Sequence, residues 1–283
     1  MGRTVYVDGA YVDEADAKVS IFDRGYLFGD GVYEVTSVLG GKLVDAAPHF
    51  DRLDRSLREL EIAWPCTRDE LIEVHRQLIA RNGLTEGGVY MQITRGVADR
   101  EFHYPKDISS VLTAFTQVKD LMDPPSARTG VSVLSIPDIR WKRRDIKSVA
   151  LLAQAMSKQL VVAQGAYEGW MLEDGYVTEG TSSTSYIVKD NKVITRPLSN
   201  AVLPGVTRKT LLRLMEERDI ELDERPFSIE EAYEADEAFL TGASNFVMPV
   251  VEVDGRRIGS GQPGPVAQRL REIYLEEAVK SAI

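Results

Sequence analysis

Strand-like and helix-like segments alternate along both halves of the chain, and this alternation limits the folds that it can adopt. The dipeptides Asp8-Gly9 and Gly40-Gly41 each separate two short runs of strand-forming residues, which is typical of a β-hairpin. Elsewhere apolar residues recur at every third or fourth position, as at Phe50, Leu53 and Leu57, which is typical of an amphipathic helix. Because both patterns occur in each half, the sequence predicts a mixed fold, either α/β or α+β.

The same two patterns predict the individual elements. Strands are predicted at residues 4–7, 10–12, 31–39, 42–44, 89–95, 110–116, 131–136, 168–172, 186–189 and 238–240. Helices are predicted at residues 48–61, 69–81, about 148–164 and about 265–280, with one more helix after Thr207.

An irregular, proline-containing stretch interrupts these patterns. It reads DLMDPPSARTG and occupies residues 120–130. The sequence therefore predicts a smaller N-terminal domain at residues 1–119, a linker at 120–130 and a larger C-terminal domain at 131–283. A chain of 283 residues is long enough for two domains.

The charge balance is acidic. The chain has 44 Asp and Glu residues against 34 Lys and Arg residues, which gives a net charge of −10. A negative surface repels the phosphates of nucleic acids and of anionic lipids. We therefore expect neither nucleic acid nor a membrane as a partner.

Cysteine and histidine are scarce. The single cysteine, Cys66, cannot form an internal disulfide, and the three dispersed histidines, His49, His75 and His103, do not suggest a metal site. The N-terminal segment MGRTVYVDGAYVDEADAK carries acidic residues where a signal peptide needs an apolar stretch. We expect a cytoplasmic protein that binds no metal and has no membrane span.

Lys147 is a candidate for chemistry because it lies between a predicted strand and a predicted helix, three residues after the end of the basic run RWKRR (140–144). Neighbouring positive charge and a helix N-terminus both disfavour an ammonium group, and a neutral amine is what Schiff-base formation needs. The structural alternative is an ordinary basic surface patch.

Three further segments have the composition of ligand-binding turns. In the first, Glu179 precedes a run of small hydroxylic residues, and its carboxylate is suited to pairing with a buried cation. Two further turns offer backbone N–H groups to a phosphate: LPGVT at residues 203–207, in which Thr207 can cap the following helix, and TGASN at residues 241–245. Each has a structural alternative: a solvated hairpin loop, a capped helix and a tight turn.

Taken together, the motifs resemble those of the fold-type IV pyridoxal-phosphate enzymes, the group that includes the D-amino-acid and branched-chain aminotransferases. The matching segments, in family order, are RGYLFGDGVYE (24–34), HFDRL (49–53), RGVADR (95–100), DIKS (145–148), VTEGTSS (177–183) and LPGVTR (203–208). The resemblance implies two α/β domains with a cofactor cleft between them, and a larger C-terminal domain that binds pyridoxal 5′-phosphate.

The resemblance also implies roles for individual residues. Lys147 would bind the cofactor as a Schiff base and transfer protons, and Glu179 would face the pyridine nitrogen and keep it protonated. Arg52 would bind the phosphate. The backbone N–H groups that would assist Arg52 belong to Val206, Thr207, Ala243 and Ser244.

The substrate contacts match the family only in part. In D-amino-acid enzymes a tyrosine and an Arg-x-His motif bind the substrate carboxylate, and the neighbouring subunit supplies that motif, which implies a homodimer. Tyr33 and Arg100 match, but Phe102 stands where the histidine is expected. Either His103 or Tyr104 is then a candidate to replace that histidine.

The activity that the resemblance implies is amino-group exchange between a D-amino acid, such as D-alanine, and a 2-oxo acid, such as 2-oxoglutarate or pyruvate. An (R)-selective amine transaminase and a lyase of the aminodeoxychorismate type are alternatives. A branched-chain aminotransferase fits less well, because SVALL at residues 148–152 replaces that subgroup's usual glycine-asparagine-tyrosine. A vitamin B6-binding protein without turnover is disfavoured, since Lys147, Glu179 and Arg52 are all present.

Overall fold

The computed structural model describes residues 2–283, and their contacts divide them into two units. The first unit comprises the chain up to Asp120 together with Ile146–Leu151 and Ser281–Ile283. The second unit comprises Leu121–Asp145 and Leu152–Lys280. The domain limits derived from the sequence stay a prediction. The units differ from them at residues 146–151 and 281–283, which belong to the first unit. The predicted linker is divided, with Asp120 in the first unit and residues 121–130 in the second.

The sheet of the first unit has six strands, and all its pairings are antiparallel. The strands are β1 (Thr4–Val7), β2 (Ala10–Asp13), β3 (Gly31–Leu39), β4 (Lys42–Leu43), β5 (Glu86–Thr94) and β6 (Val111–Val118). Their order in the sheet is β2-β1-β6-β5-β3-β4. The turns predicted at Asp8-Gly9 and Gly40-Gly41 are confirmed, and all four residues have the positive φ that tight hairpin turns require.

The helices of the first unit are α1 (Arg24–Phe28), α2 (Ala46–Glu59) and α3 (Arg68–Asn82). The predicted helices 48–61 and 69–81 correspond to α2 and α3. Helix α3 begins with a capping box at Thr67 and ends at Gly83, whose φ of 59° suits a left-handed helix cap. The apolar face of α2 is buried in the core of the unit through Phe50, Leu53 and Leu57.

The sheet of the second unit has nine strands and mixes parallel with antiparallel pairings. The strands are β7 (Val131–Pro137), β8 (Glu168–Glu173), β9 (Tyr176–Gly180), β10 (Thr184–Lys189), β11 (Lys192–Thr195), β12 (Leu222–Glu224), β13 (Glu237–Gly242), β14 (Phe246–Val253) and β15 (Arg256–Arg257). Their order is β12-β11-β10-β13-β14-β7-β8-β9, and β15 pairs with β14. The helices of this part of the chain are α4 (Pro125–Thr129), α5 (Leu152–Val162), α6 (Val206–Glu216), α7 (Ile229–Tyr233) and α8 (Pro265–Ser281).

The predicted mixture of strands and helices is confirmed, but several elements differ from the sequence analysis. Strand β14 was not predicted because it is buried on both faces, so its side chains do not alternate, and because it contains Pro249, which is unusual inside a sheet. The stretch 120–130 contains helix α4, whose Ala127 packs into the core of the second unit. No helix among residues 2–283 has the length and apolar character that crossing a membrane requires.

The helix predicted from residue 148 begins only at Leu152, which corrects that prediction. The residues before it lie along the start of β3. The N–H of Tyr33 donates to the carbonyl of Lys147, and the N–H of Val149 donates to the carbonyl of Gly31, both at 3.0 Å. The apolar run after Lys147 suits a helix or an extended segment, and the bonds to β3 select the extended one.

Candidate active site

Backbone hydrogen bonds fix Lys147 to other residues of the first unit. Its N–H donates to the hydroxyl of Ser56 on α2 at 3.3 Å, and its carbonyl accepts the N–H of Tyr33. Its ammonium lies 4.1 Å from the centre of the Tyr33 ring. Two candidate residues predicted from separate motifs, Lys147 and Tyr33, are therefore in contact.

The basic run that precedes Lys147 is not a cluster of unpaired cations. Four of its side chains form ion pairs: Arg140 with Asp138 and Glu179, Lys142 and Arg144 with Glu173, and Arg143 with Asp145. Helix α5 also begins five residues after Lys147 rather than beside it. The expectation that free positive charge and a helix N-terminus surround Lys147 is therefore wrong, and its candidacy depends on its contacts and on the motif.

Tyr33 stands in front of two further aromatic rings. Its ring stacks on that of Tyr90 with centroids 5.7 Å apart, and Tyr90 stacks on Phe115 at 4.8 Å. Burial raises the pKa of Tyr90 to about 12, so its hydroxyl stays protonated and donates to Gln92 Oε1 at 2.9 Å. The stack, whose three residues lie on neighbouring strands, supports the ring of Tyr33.

Arg52 forms a buried pair with Glu34, the residue after Tyr33. Its Nε and Nη2 donate to the two carboxylate oxygens at 2.8 and 2.7 Å. His49 Nδ1 lies 2.7 Å from the same carboxylate. Burial opposes ionisation of Glu34, but Arg52 and His49 outweigh it and lower its pKa to about 2. Arg52 is thus oriented by a partner that is ionised at neutral pH.

Glu179 lies in β9 of the second unit and is buried. Its carboxylate forms an ion pair with Arg140 and accepts the backbone N–H of Leu203 at 3.1 Å. Burial raises the pKa of Glu179, and Arg140 and the Leu203 N–H only partly offset this effect. Arg140 is the buried cation that the sequence analysis expected for this carboxylate. The Leu203 bond also ties Glu179 to the turn before α6.

The N-terminus of α6 has an unused hydroxyl. The helix begins at Val206 after Gly205, and no side chain from the described residues 2–283 caps it. Thr207 therefore lies inside the first turn, and the expectation that it caps the helix is wrong. Its Oγ1 is buried and has no hydrogen-bond partner among residues 2–283. Uncapped N–H groups and an unpaired hydroxyl are donors that suit a phosphate.

Ala243 and Ser244 lie in the tight turn between β13 and β14, in which the N–H of Asn245 donates to the carbonyl of Gly242 at 3.0 Å. Both are half-buried. Ser182 belongs to the hydroxylic turn 181–184 between β9 and β10. A Cβ on Gly242 would lie 3.4 Å from the carbonyl of Ser182, so the backbones of the two turns approach closely.

The turn 181–184 also approaches α6. A Cβ on Gly205 would lie 3.0 Å from Thr184 Oγ1, which is tighter than an ordinary contact. The hydroxylic turn therefore lies close both to the start of α6 and to the turn that holds Ala243 and Ser244.

The predicted carboxylate contacts are not brought together. Arg100 is exposed, and its guanidinium lies 5.3 Å from the ring of Phe28 and 5.4 Å from that of Phe102. His103 is exposed and has no hydrogen bond or ion pair with any residue between 2 and 283. No hydrogen bond, ion pair or ring contact joins Arg100 or His103 to Tyr33 within this part of the chain.

Comparison with known proteins identifies the family. The family model described as amino-transferase class IV matches residues 31–253, which is well over half of the chain. The chain belongs to the class IV aminotransferases.

Individual relatives agree with this assignment. The chain is 39% identical to the D-alanine aminotransferase of Staphylococcus haemolyticus over 269 residues, which cover 95% of each protein. Among solved structures, it is similar to the branched-chain amino acid aminotransferase of Escherichia coli, with a TM-score of 0.90, 25% identity and coverage of 98% of this chain and 94% of that one. It is also similar to a branched-chain amino acid aminotransferase from T.th. with pyridoxamine 5′-phosphate, with a TM-score of 0.88, 25% identity and coverage of 99% and 95%.

Class IV aminotransferases work with pyridoxal 5′-phosphate, and the residues of this chain fit that cofactor. The unpaired Thr207 hydroxyl and the uncapped start of α6 suit its phosphate. The buried carboxylate of Glu179 suits a protonated ring nitrogen. The amine of Lys147 suits its aldehyde.

The partners that orient the candidate residues of this aminotransferase were not predicted from its sequence. They are Glu34 and His49 beside Arg52, Ser56 beside Lys147, and Arg140 beside Glu179. Glu34 and His49 lie within the motifs RGYLFGDGVYE and HFDRL, so the motifs contained a signal that was not used.

Glu168 is a further missed residue. It is completely buried on β8 and accepts the hydroxyl of Ser182 at 2.8 Å, that of Ser183 at 3.3 Å and that of Thr181. It therefore fixes the hydroxylic turn after Glu179. Only the residue types of that turn, and not their acceptor, were recognisable from the sequence.

Proposed function

We propose that this class IV aminotransferase transfers the amino group between a D-amino acid, such as D-alanine, and a 2-oxo acid, such as 2-oxoglutarate or pyruvate. The observation that carries the proposal is the 39% identity with a D-alanine aminotransferase over 95% of both proteins. Tyr33 and Arg100, which match the carboxylate contacts of D-amino-acid enzymes, support it further.

In this proposal Lys147 is the catalytic residue. Its amine would hold the cofactor through the aldehyde. Once a substrate amine has freed it, Nζ would take up the proton that leaves the substrate Cα and give up that same proton as the amino group is transferred. Pyridoxal phosphate supplies the electron sink for the electron pair left at that carbon. The backbone bonds of Lys147 to Ser56 and Tyr33 support the role, because they fix the point from which the side chain extends.

The remaining candidate residues bind and orient the cofactor and the substrate. Glu179, fixed by Arg140, keeps the ring nitrogen protonated. Arg52 binds the phosphate. The neighbouring subunit supplies Arg100, which binds the substrate carboxylate together with Tyr33. The backbone N–H groups that assist Arg52 belong to Val206, Thr207, Ala243 and Ser244. His103, whose exposed ring has no hydrogen-bond partner within residues 2–283, is a further candidate for substrate contact.

We further infer that the protein is a cytoplasmic homodimer. Helix α5 exposes Leu152, Met156 and Leu160, which are spaced four residues apart and form one apolar stripe. A second copy of the chain that covers this stripe would remove it from water. The single cysteine supports a reducing compartment.

A second candidate function is the transamination of (R)-amines that lack a carboxylate. Phe102 favours it, because a phenyl ring replaces the histidine that would contact a carboxylate, and the side chain is 79% exposed. Arg100 opposes it, since a guanidinium that pairs with no carboxylate among residues 2–283 is suited to a substrate anion.

A half-reaction with purified holoenzyme tests the proposal. D-alanine alone should remove the visible absorbance of the aldehyde form of the cofactor, while L-alanine at the same concentration should leave it unchanged. The Lys147→Ala variant is the control and should not respond to D-alanine. A response to (R)-1-phenylethylamine without one to D-alanine would favour the second candidate, and a response to L-leucine alone would favour a branched-chain enzyme.

A further inference from the structure

Three charged residues of the family motifs have no role in the proposed function, and the first unit brings them together. Arg24 Nε donates to Asp30 Oδ2 at 2.7 Å. Arg95 donates to the same carboxylate through Nε at 2.8 Å and through Nη2 at 3.0 Å. Arg24 and Arg95 are only 2% and 3% exposed. One carboxylate thus pairs with two buried guanidinium groups, whose other N–H groups need acceptors nearby.

The segment that carries Arg100 provides partners for both arginines, at Glu101 and at Tyr104. Arg24 Nη1 donates to the carbonyl of Glu101 at 2.6 Å. The guanidinium of Arg95 lies 3.5 Å from the centre of the Tyr104 ring. The two buried arginines therefore hold this segment at the residue directly after Arg100 and again three residues later.

Arg100 itself lies against two aromatic rings. Its guanidinium lies 5.3 Å from the Phe28 ring and 5.4 Å from the Phe102 ring, and the two rings are 5.7 Å apart. On the same Phe28 ring, the guanidinium of Arg24 lies at 4.7 Å. Contact with aromatic rings uses the face of a guanidinium and leaves its N–H edge available for a bidentate carboxylate.

We propose that Arg24 and Phe28 of α1, together with Phe102, are positioning residues that present the N–H edge of Arg100 to the substrate carboxylate. This inference rests on the proposed function, in which Arg100 binds that carboxylate. Phe102 then has a role of its own: it replaces a hydrogen-bonding histidine by a ring that packs on Phe28 and orients the neighbouring arginine.

Phe28→Leu and Phe102→Leu test the proposal, because each removes one ring but keeps an apolar side chain. Arg24 is left unchanged, since its loss would leave Asp30 with one of its two partners and endanger the fold. Tyr26→Leu is the matched control: it removes an exposed aromatic ring from the same helix that does not contact Arg100.

Holoenzyme kinetics and inhibitor binding should show one pattern. In each Phe variant the KM for D-alanine and the inhibition constant of propanoate, a carboxylate without an amine, should both rise about fivefold, as loss of a cation–π contact predicts. The kcat and the dissociation constant for pyridoxal phosphate should not change, and Tyr26→Leu should match the wild type. In an Arg100→Ala background, Phe28→Leu should have no further effect on either constant.

Two results separate this inference from the proposed function. If Arg100→Ala weakens D-alanine and propanoate binding while the Phe variants do not, the positioning role is wrong and the role of Arg100 stands. If Arg100→Ala leaves both constants unchanged, both assignments are wrong. A fall in kcat at constant KM, or an equal effect of Tyr26→Leu, would also overturn the positioning role.

Discussion

Glu34 is ionised in a completely buried position because Arg52 and His49 surround its carboxylate. Its folded-state pKa of about 2 lies below the ordinary value of 4.5. Ionised Glu34 therefore stabilises the folded protein above about pH 5, and this stabilisation is lost as the pH falls towards 2. A shift of this size corresponds to roughly 3 kcal/mol of folding free energy.

Replacing Glu34 by Gln should therefore lower stability in a pH-dependent way. At pH 7 the variant loses the charge that neutralises buried Arg52, and we expect a loss of about 3 kcal/mol in the free energy of unfolding. Below about pH 4 the wild type begins to lose the same interaction, so the difference between the two proteins should shrink. Urea unfolding followed by circular dichroism at pH 7, 5, 4 and 3 measures it.

The exposed Glu276→Gln on α8 is the control for Glu34→Gln, and its stability should follow the wild type at every pH. A Glu34→Gln difference that is the same at pH 7 and pH 3 would contradict the role given to the charge of Glu34.

At the scale of elements, the start of α6 is less stable than it would be with an apolar residue. The buried hydroxyl of Thr207 has no hydrogen-bond partner among residues 2–283, and a buried polar group without a hydrogen bond costs about 1–3 kcal/mol. A ligand that accepts a hydrogen bond from this hydroxyl would recover that free energy. The start of α6 would therefore lower the stability of the cofactor-free protein and raise that of the cofactor-bound protein.

Thr207→Val tests this balance, because valine has nearly the same shape without the hydroxyl. The cofactor-free variant should melt at a temperature equal to or higher than that of the wild type. Its affinity for pyridoxal phosphate should fall about tenfold, as for loss of one hydrogen bond to a charged group. Differential scanning calorimetry and cofactor titration measure the two effects.

Pyridoxal, which lacks the phosphate, provides the control for Thr207→Val. Its binding should be the same in both proteins. If the variant bound pyridoxal phosphate as tightly as the wild type does, Thr207 would have no part in phosphate binding.

Elements with clear local signals were predictable from the sequence. Helices α2 and α3 have regular apolar spacing, and the hairpins have turn residues that tolerate a positive φ. The predicted start of α5 was wrong because the conformation of residues 148–151 depends on backbone hydrogen bonds to β3, which lies over a hundred residues earlier in the chain. Local periodicity carries no information about such a bond.

At the scale of the whole molecule, the candidate residues were predictable as a set but their supporting contacts were not. The motifs indicated Arg52, Lys147 and Glu179 in family order. By contrast, the pairs that orient them join positions far apart in the sequence: Glu34 with Arg52, and Arg140 with Glu179. Such pairs exist only after the sheets have formed, so residue type alone cannot assign them.

The exposed stripe on α5 leads to a prediction about assembly. Analytical ultracentrifugation of the holoenzyme should give twice the mass of one chain. Met156→Glu places a charge in the middle of the stripe and should shift the protein towards the monomer, because burying an unpaired charge is costly. Gln159→Glu, which adds the same charge at an exposed polar position of α5, should leave the dimer intact. Equal behaviour of the two variants would contradict dimerisation through this stripe.

The assignment of Ile146–Leu151 to the first unit has a consequence during protein synthesis. The ribosome completes the N-terminal strands and helices long before it reaches these residues, so the nascent unit lacks the segment that lies along β3. Lys147, which this segment carries, therefore joins the first unit only when the segment pairs with β3 and completes the unit. A truncated product that stops near residue 120 would lack both this segment and the reactive lysine, and would display an unpaired backbone edge to chaperones and proteases.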